Sequence, residues 1–289
     1  MIYEGPEDWL AADQKSVALI GMSGAGKTRI SALVRDEGDW FHYSVDYRIG
    51  TRYLDEEIVD DFKREAMKNV YLRDLLRSDS IYIGSNLSFH NLTPLSTWLG
   101  KPGDAKAGGI PFEDYLARQR LHREAEISSM LDAPPFIERA RELYQYSNFI
   151  CDTSGSLCEV VEAENPNDPV LNAMYQSMLP VYIRGTDAHE AELKARFDRS
   201  PKPMYYQEAF LTEVWSDFLV ETGKSAAKVN PDEFIRYGFA RLLDHRRPRY
   251  QAIADNWGVT VEADDIAAVQ TGADFDALIA QALQSRAER

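Results

Sequence analysis

The chain has two cysteines in its 289 residues, Cys151 and Cys158. Two thiols cannot build a disulfide framework or, alone, a structural zinc site, so buried thiols are the expected use. No apolar run approaches the roughly 20 residues that cross a bilayer. The opening MIYEGPEDWLAADQ has no basic start followed by an apolar stretch, so no membrane partner and a cytoplasmic location are expected. Positive charge is scarce: 32 Lys and Arg face 47 Asp and Glu, for a net charge of −15. The longest basic cluster is His245-Arg246-Arg247-Pro248-Arg249. Nonspecific nucleic-acid binding, which depends on cationic contacts to phosphates, is disfavoured, although a local site for a small anion stays open. Internal repeats and low-complexity tracts are missing too. The Thr153-Ser154-Gly155-Ser156 turn lacks the G-x-S-x-G pattern of a nucleophilic serine.

What is present is SVALIGMSGAGKTRISALV, residues 16–34. Val17 to Ile20 reads as a buried strand and Thr28 to Val34 has helical apolar spacing. Between them Gly21-Met22-Ser23-Gly24-Ala25-Gly26-Lys27-Thr28 fits G-x-x-x-x-G-K-[ST] at every fixed position. In such a loop the backbone N–H groups of Gly21, Ser23, Gly24, Ala25 and Gly26 turn toward one centre, and the helix N-terminus adds partial positive charge. Lys27 is expected on the β- and γ-phosphates of ATP, and the Thr28 hydroxyl on the accompanying Mg2+.

Along the rest of the chain strands alternate with helices. A second strand is expected at Trp40–Val45, ending at Asp46. Residues 55–77 carry helical spacing, and SIYIGSN reads as a short extra strand. TPLSTWLGKPGDAKAGGIPF reads as an exposed loop, followed by helices over Phe112–Leu131 and Pro135–Tyr144. Phe149–Cys151 is a third strand, LPVYIRGTDAHEAELKARF a strand then a helix, and further helices are expected near 207–221 and 232–243. GVTVEA is a last strand and Asp274–Ser285 a last helix. This alternation implies a mainly parallel five-stranded sheet with helices on both faces, a three-layer α/β/α sandwich binding ligands at the strands' carboxyl ends. The expected organisation is one domain, 1–289, with a helical insertion at 51–147 that binds substrate or a protein partner.

Phosphoryl transfer needs a metal organiser, an acid near the acceptor hydroxyl and cations over the transferred group. Asp152, at the third strand's end, could organise Mg2+ or merely cap Thr153 and Ser154. Asp46 could accept the acceptor's proton or pair with Arg48 or Arg52. Lys194, Arg196, Arg199 and Lys202 could close over phosphates or form a solvated helix face. His122, among Arg118, Arg120 and Arg123, is expected on a charged helix face.

The order of these features resembles shikimate kinase and its relatives among the small-molecule P-loop kinases. LIGMSGAGKT is similar to that family's first strand and phosphate loop. FHYSVD lies where the family carries Asp-x-Asp, with Ser44 at the first acid and Asp46 at the second, the one that touches the acceptor. FICDTSGS takes the place of its third strand and glycine-rich substrate turn, keeping Gly155. Lys202-Pro203 stands where the lid has Arg-Pro, and RRPRYQAIADNWGVTVEAD resembles its R-x-P-x-Y helix and last strand. The resemblance covers roughly 14–50 and 147–285, and implies that Arg246 grips an acceptor carboxylate. It implies an ATP- and Mg2+-dependent transferase acting on a small, hydroxylated, anionic metabolite. The alternatives from the residues are an ATPase or nucleotide-operated switch whose insertion binds a protein, and an enzyme acting on a nucleotide or nucleotide-sugar.

Overall fold

The computed structural model describes residues 2–288, which divide into two compact units. The first comprises residues up to Val45, Glu126–Ser200 and the chain from Arg236, and the second comprises Asp46–Ala125 and Pro201–Ile235.

The first unit is organised by a five-stranded sheet of β1 (Ser16–Ile20), β2 (Trp40–Ser44), β3 (Asn148–Asp152), β4 (Leu179–Arg184) and β5 (Val259–Glu262). Its order is β2-β3-β1-β4-β5, with every neighbouring pair parallel. Parallel strands need crossover connections, and crossover helices bury the strands' faces. Accordingly Val17, Ala18, Leu19 and Ile20 of central β1 are fully buried. Val17, Leu19, Ile150, Val181 and Ile183 join Ile30 and Val34 of the helix Lys27–Asp36 in one apolar cluster, with Ile266, Phe275 and Ile279. The sheet is thus all-parallel and of α/β type.

The N-terminal segment is tied to this core, since the Trp9 indole donates to the Asp276 carbonyl at 3.1 Å and Lys15 pairs with Asp276 at 2.5 Å. Register decides what reaches the carboxyl rim. Leu19 and Ser44 both stand opposite Asp152, so the phosphate loop leaves β1 beside the end of β3.

Within the second unit the helices Asp55–Met67, Val70–Arg77 and Thr93–Leu99 precede the start of Phe112–Leu131, and Glu208–Thr222 follows. Phe112 stacks on Trp215 at 4.6 Å, and Trp215 meets Phe234 edge to face at 4.7 Å. Two polar contacts add to the packing: Lys101 pairs with Asp232 at 2.6 Å, and Tyr115 OH donates to the Met204 carbonyl at 2.7 Å.

Several expectations need correction. SIYIGSN is not a strand: no ladder partner meets it among the described residues, and Tyr82 is 93% exposed. The loop expected at 93–112 contains a helix, Thr93–Leu99, because Leu95, Trp98 and Leu99 fall on one face and are buried, with proline in the first turn. Strand β2 stops at Ser44, and Val45 begins a helical turn that carries Asp46. The helix expected at 232–243 runs on from Pro231 to Trp257, straight through Pro248. No helix among the described residues is long and apolar enough to cross a membrane.

Candidate functional site

Gly24 and Gly26 hold φ of +87° and +100°, which residues with a Cβ adopt at a steric cost. That left-handed step lets the loop double back and start the helix Lys27–Asp36 with no side-chain cap on its first N–H groups. No acidic residue lies in that first turn, so the positive end of the helix is left to an anion. Lys27 is 6% exposed, and its ammonium donates to the Gly21 and Met22 carbonyls at 2.7 and 3.1 Å. The charge therefore sits inside the loop, against its own carbonyls. Ser23 is exposed and Ala25 half-buried on the same loop.

The Thr28 hydroxyl donates to Asp152 Oδ2 at 2.7 Å, joining residues 124 positions apart. Asp152 is 6% exposed at the end of β3, and His42 Nε2 of β2 stands 3.7 Å from the same oxygen. The strand pairing Leu19 to Asp152 makes this meeting unavoidable once the sheet forms. The alternative role for Asp152, capping Thr153 and Ser154, is not what holds the turn; Thr153 Oγ1 donates back to the Leu19 carbonyl at 2.7 Å.

Beyond β3 the chain turns through Gly155. A Cβ built there would meet Ser23 N at 2.9 Å and Ser23 Oγ at 2.2 Å, so only glycine lets this turn back directly onto the phosphate loop. Ser156 Oγ donates to Glu126 at 2.6 Å and shares a bond with Ser154 Oγ at 2.8 Å. Sequence reading missed Glu126 entirely.

Arg246 requires a correction. Expected to grip an acceptor's carboxylate, it is 1% exposed and already holds a carboxylate of its own chain: Nε donates to Glu159 Oε1 at 3.0 Å and Nη1 to the Gly155 carbonyl at 2.6 Å. Burial pushes the Glu159 carboxyl up, but the hydrogen bonds and charges of His245 and Arg246 outweigh it and hold the group at about 2. The rest of the basic cluster is spoken for as well. Arg247 pairs with Asp187 and Glu190, and Arg249 donates to the Cys158 carbonyl.

On the other side of the loop is a cavity of about 170 Å³ lined by Gly24, Ala25, Ile183, Leu193, Arg196 and Ile266 among others. Arg196 lies directly over the loop, for a Cβ on Gly24 would stand 2.6 Å from its Nη2. Arg29, missed by the sequence reading, fixes the far wall by donating to the carbonyls of Ile266, Ala267 and Val269 at 3.0, 3.2 and 2.9 Å. The one available signal was an arginine on the face of the loop helix next to a buried isoleucine. Arg199 is exposed at the end of the helix Asp187–Arg199.

In the second unit, Asp46 is half-buried in the turn Val45–Arg48. Lys202 is exposed and lines a cleft of about 590 Å³ with Phe89, His90, Thr93, Lys101 and Asp232. His122 is 5% exposed and stacked on Tyr205 at 4.9 Å rather than set on a charged face.

Both cysteines are buried and unbonded. Burial pushes the Cys158 thiol up to about 12 and raises Cys151 too, so neither is a thiolate nucleophile near neutral pH.

The chain matches no known family model and no curated protein. Among solved structures it is similar to a shikimate kinase from Bacteroides thetaiotaomicron, at 14% identity and a TM-score of 0.37, over 96% of this chain and 99% of that one. A likeness that distant assigns no function, which has to come from the residues themselves.

Proposed function

We propose that the chain is an ATP- and Mg2+-dependent phosphotransferase of the P-loop class, with helices layered on both faces of its sheet, that passes the γ-phosphoryl group to the hydroxyl of a small metabolite. The observation that carries this reading is the 2.7 Å bond between Thr28 Oγ1 and Asp152 Oδ2, next to a lysine held inside an uncapped glycine loop. A hydroxyl beside one carboxylate suits Mg2+, which takes one or two carboxylates and completes its shell with phosphate oxygens and water. Sets of three His, Cys, Asp or Glu, the pattern of an all-protein metal cage, are missing among the described residues. Thr28 and Asp152 would hold the ion, which when bound neutralises charge on the β- and γ-phosphates.

The chain's own groups do the rest. The N–H groups of residues 21–26 and the helix end bind the phosphates, and Lys27 balances the charge that builds on the transferred oxygens. Ile266 and Leu193 offer apolar walls to the nucleotide base, with Arg29 keeping the 266–269 wall in place. Arg196 and Arg199 are the cations proposed to screen the phosphoryl group, with Lys202 as a third. Asp46 is proposed to orient the acceptor's hydroxyl. An anionic acceptor loses its support from Arg246, whose charge Glu159 already balances.

The test is direct. The protein is incubated with ATP, Mg2+ and fractionated metabolite extract, and a compound that gains 80 Da of phosphate, about the mass of one phosphoryl group, is sought. Transfer that disappears with Lys27→Ala supports the kinase. Release of inorganic phosphate with no acceptor product favours an ATPase or switch.

A further inference from the structure

We propose that Arg246 and Glu159 form a buried clamp that positions the phosphate loop through Gly155, so that their role is in nucleotide binding and not in gripping the acceptor. This inference rests on the nucleotide-binding reading of the loop. Its parts lie in one continuous chain of contacts. Arg246 stands on the long helix Pro231–Trp257. Its Nη1 donates to the Gly155 carbonyl at 2.6 Å, and Gly155 also packs against Ser23, with a built Cβ only 2.9 Å from the Ser23 backbone nitrogen. Ser23 N–H is one of the donors that the loop offers to phosphate. The place of that donor is thus set by how far Gly155 is drawn back by Arg246.

Glu159 fixes the arginine in turn. It accepts from Arg246 Nε at 3.0 Å, and its second oxygen stands 3.3 Å from His245 Nε2. Its own N–H donates to the Ser156 carbonyl at 2.7 Å, which ties the clamp to the same turn by a second route. A third support comes from the side, where Ser156 Oγ donates to fully buried Glu126 at 2.6 Å. The turn 153–156 is therefore held from three sides by buried groups, Arg246, Glu159 and Glu126. An arginine is needed because two nitrogens of one rigid plane must serve a carboxylate and a carbonyl together, which a lysine cannot do.

The experiment measures the dissociation constant of a fluorescent ATP analogue with Mg2+, a readout independent of the acceptor, together with the melting temperature. Arg246→Lys keeps the buried charge opposite Glu159 and loses the bond to Gly155. It should weaken nucleotide binding about tenfold, as loss of one charge-assisted bond implies. The pair Glu159→Leu with Arg246→Met removes both charges at similar volume, which buried ion pairs tolerate. It should melt within about 3 °C of wild type and still bind nucleotide about tenfold more weakly. Arg246→Lys also serves as the test should the double variant fail to fold. A folded variant of either kind with the wild-type dissociation constant overturns the clamp. If the wild-type protein binds nucleotide and the variants match it, only the clamp fails; if the wild type binds none, the nucleotide-binding reading fails with it.

Discussion

Changing Asp152 to Asn separates metal organisation from structure. The amide oxygen can still accept the Thr28 hydroxyl bond, now 2.7 Å long, so the turn at the end of β3 keeps its shape. What disappears is one negative charge at a site 6% exposed, where a charge-assisted contact counts for more than in water. Such a contact contributes about 1.5–3 kcal/mol, and an ion held partly through water lies at the lower end. The affinity for ATP in the presence of Mg2+ should therefore fall roughly ten- to thirtyfold, while the affinity measured in EDTA changes less than about threefold. Titration of a fluorescent ATP analogue in the two buffers gives both numbers. Equal losses with and without Mg2+ would refute the argument and leave Asp152 as a structural acid.

Three further outcomes follow from the same contacts. Gly155→Ala places a methyl 2.9 Å from the Ser23 nitrogen, so the variant should fold yet bind ATP at least tenfold more weakly, about 1.4 kcal/mol, as read by calorimetry. Arg29→Ala frees the carbonyls of Ile266, Ala267 and Val269 and should raise the Michaelis constant for ATP about three- to tenfold with little change in kcat, as steady-state kinetics would show. Glu159, lowered to about 2 from 4.5, binds a proton less readily when folded, so its contribution is fully present above about pH 4.5 and is lost as pH falls toward 2. Urea unfolding should therefore show the stability gap between wild type and Glu159→Gln narrowing by ~3 kcal/mol across that window. A constant gap would deny the shift.

The parts of this molecule that show in the sequence are those encoded by neighbours along the chain. Strands β1, β3 and β4 are short apolar runs bounded by glycine or acid, and the phosphate loop is contiguous. Asp152 could be singled out because acids at strand ends face the ligand side of a parallel sheet. The clamp was illegible, since Arg246 and Glu159 lie 87 positions apart and only folding brings them together. Arg246 invited a substrate role for the same reason: nothing local announces the carboxylate that occupies it. The bonds of Arg29 to residues more than 230 positions away share this invisibility. Pro248 misled differently. A helix-interior proline costs about 3 kcal/mol, but Leu242, Leu243, Tyr250 and Ile253 are all buried along that helix and their burial outweighs the break. In the second unit, the glycines and prolines around Thr93–Leu99 hid a one-sided apolar helix within what reads as a loop.

The central claim is that the loop at 21–28 binds ATP through Lys27. Isothermal titration of the wild-type protein with ATP and Mg2+ should give one site per chain with a dissociation constant between about 1 µM and 1 mM, the usual range for such substrates. Lys27→Ala, with an unchanged melting profile, should lose at least 2 kcal/mol of that binding, roughly thirtyfold, as expected for a charged contact. A wild-type protein that gives no heat with ATP, or a Lys27→Ala variant that binds it equally well, would contradict the account.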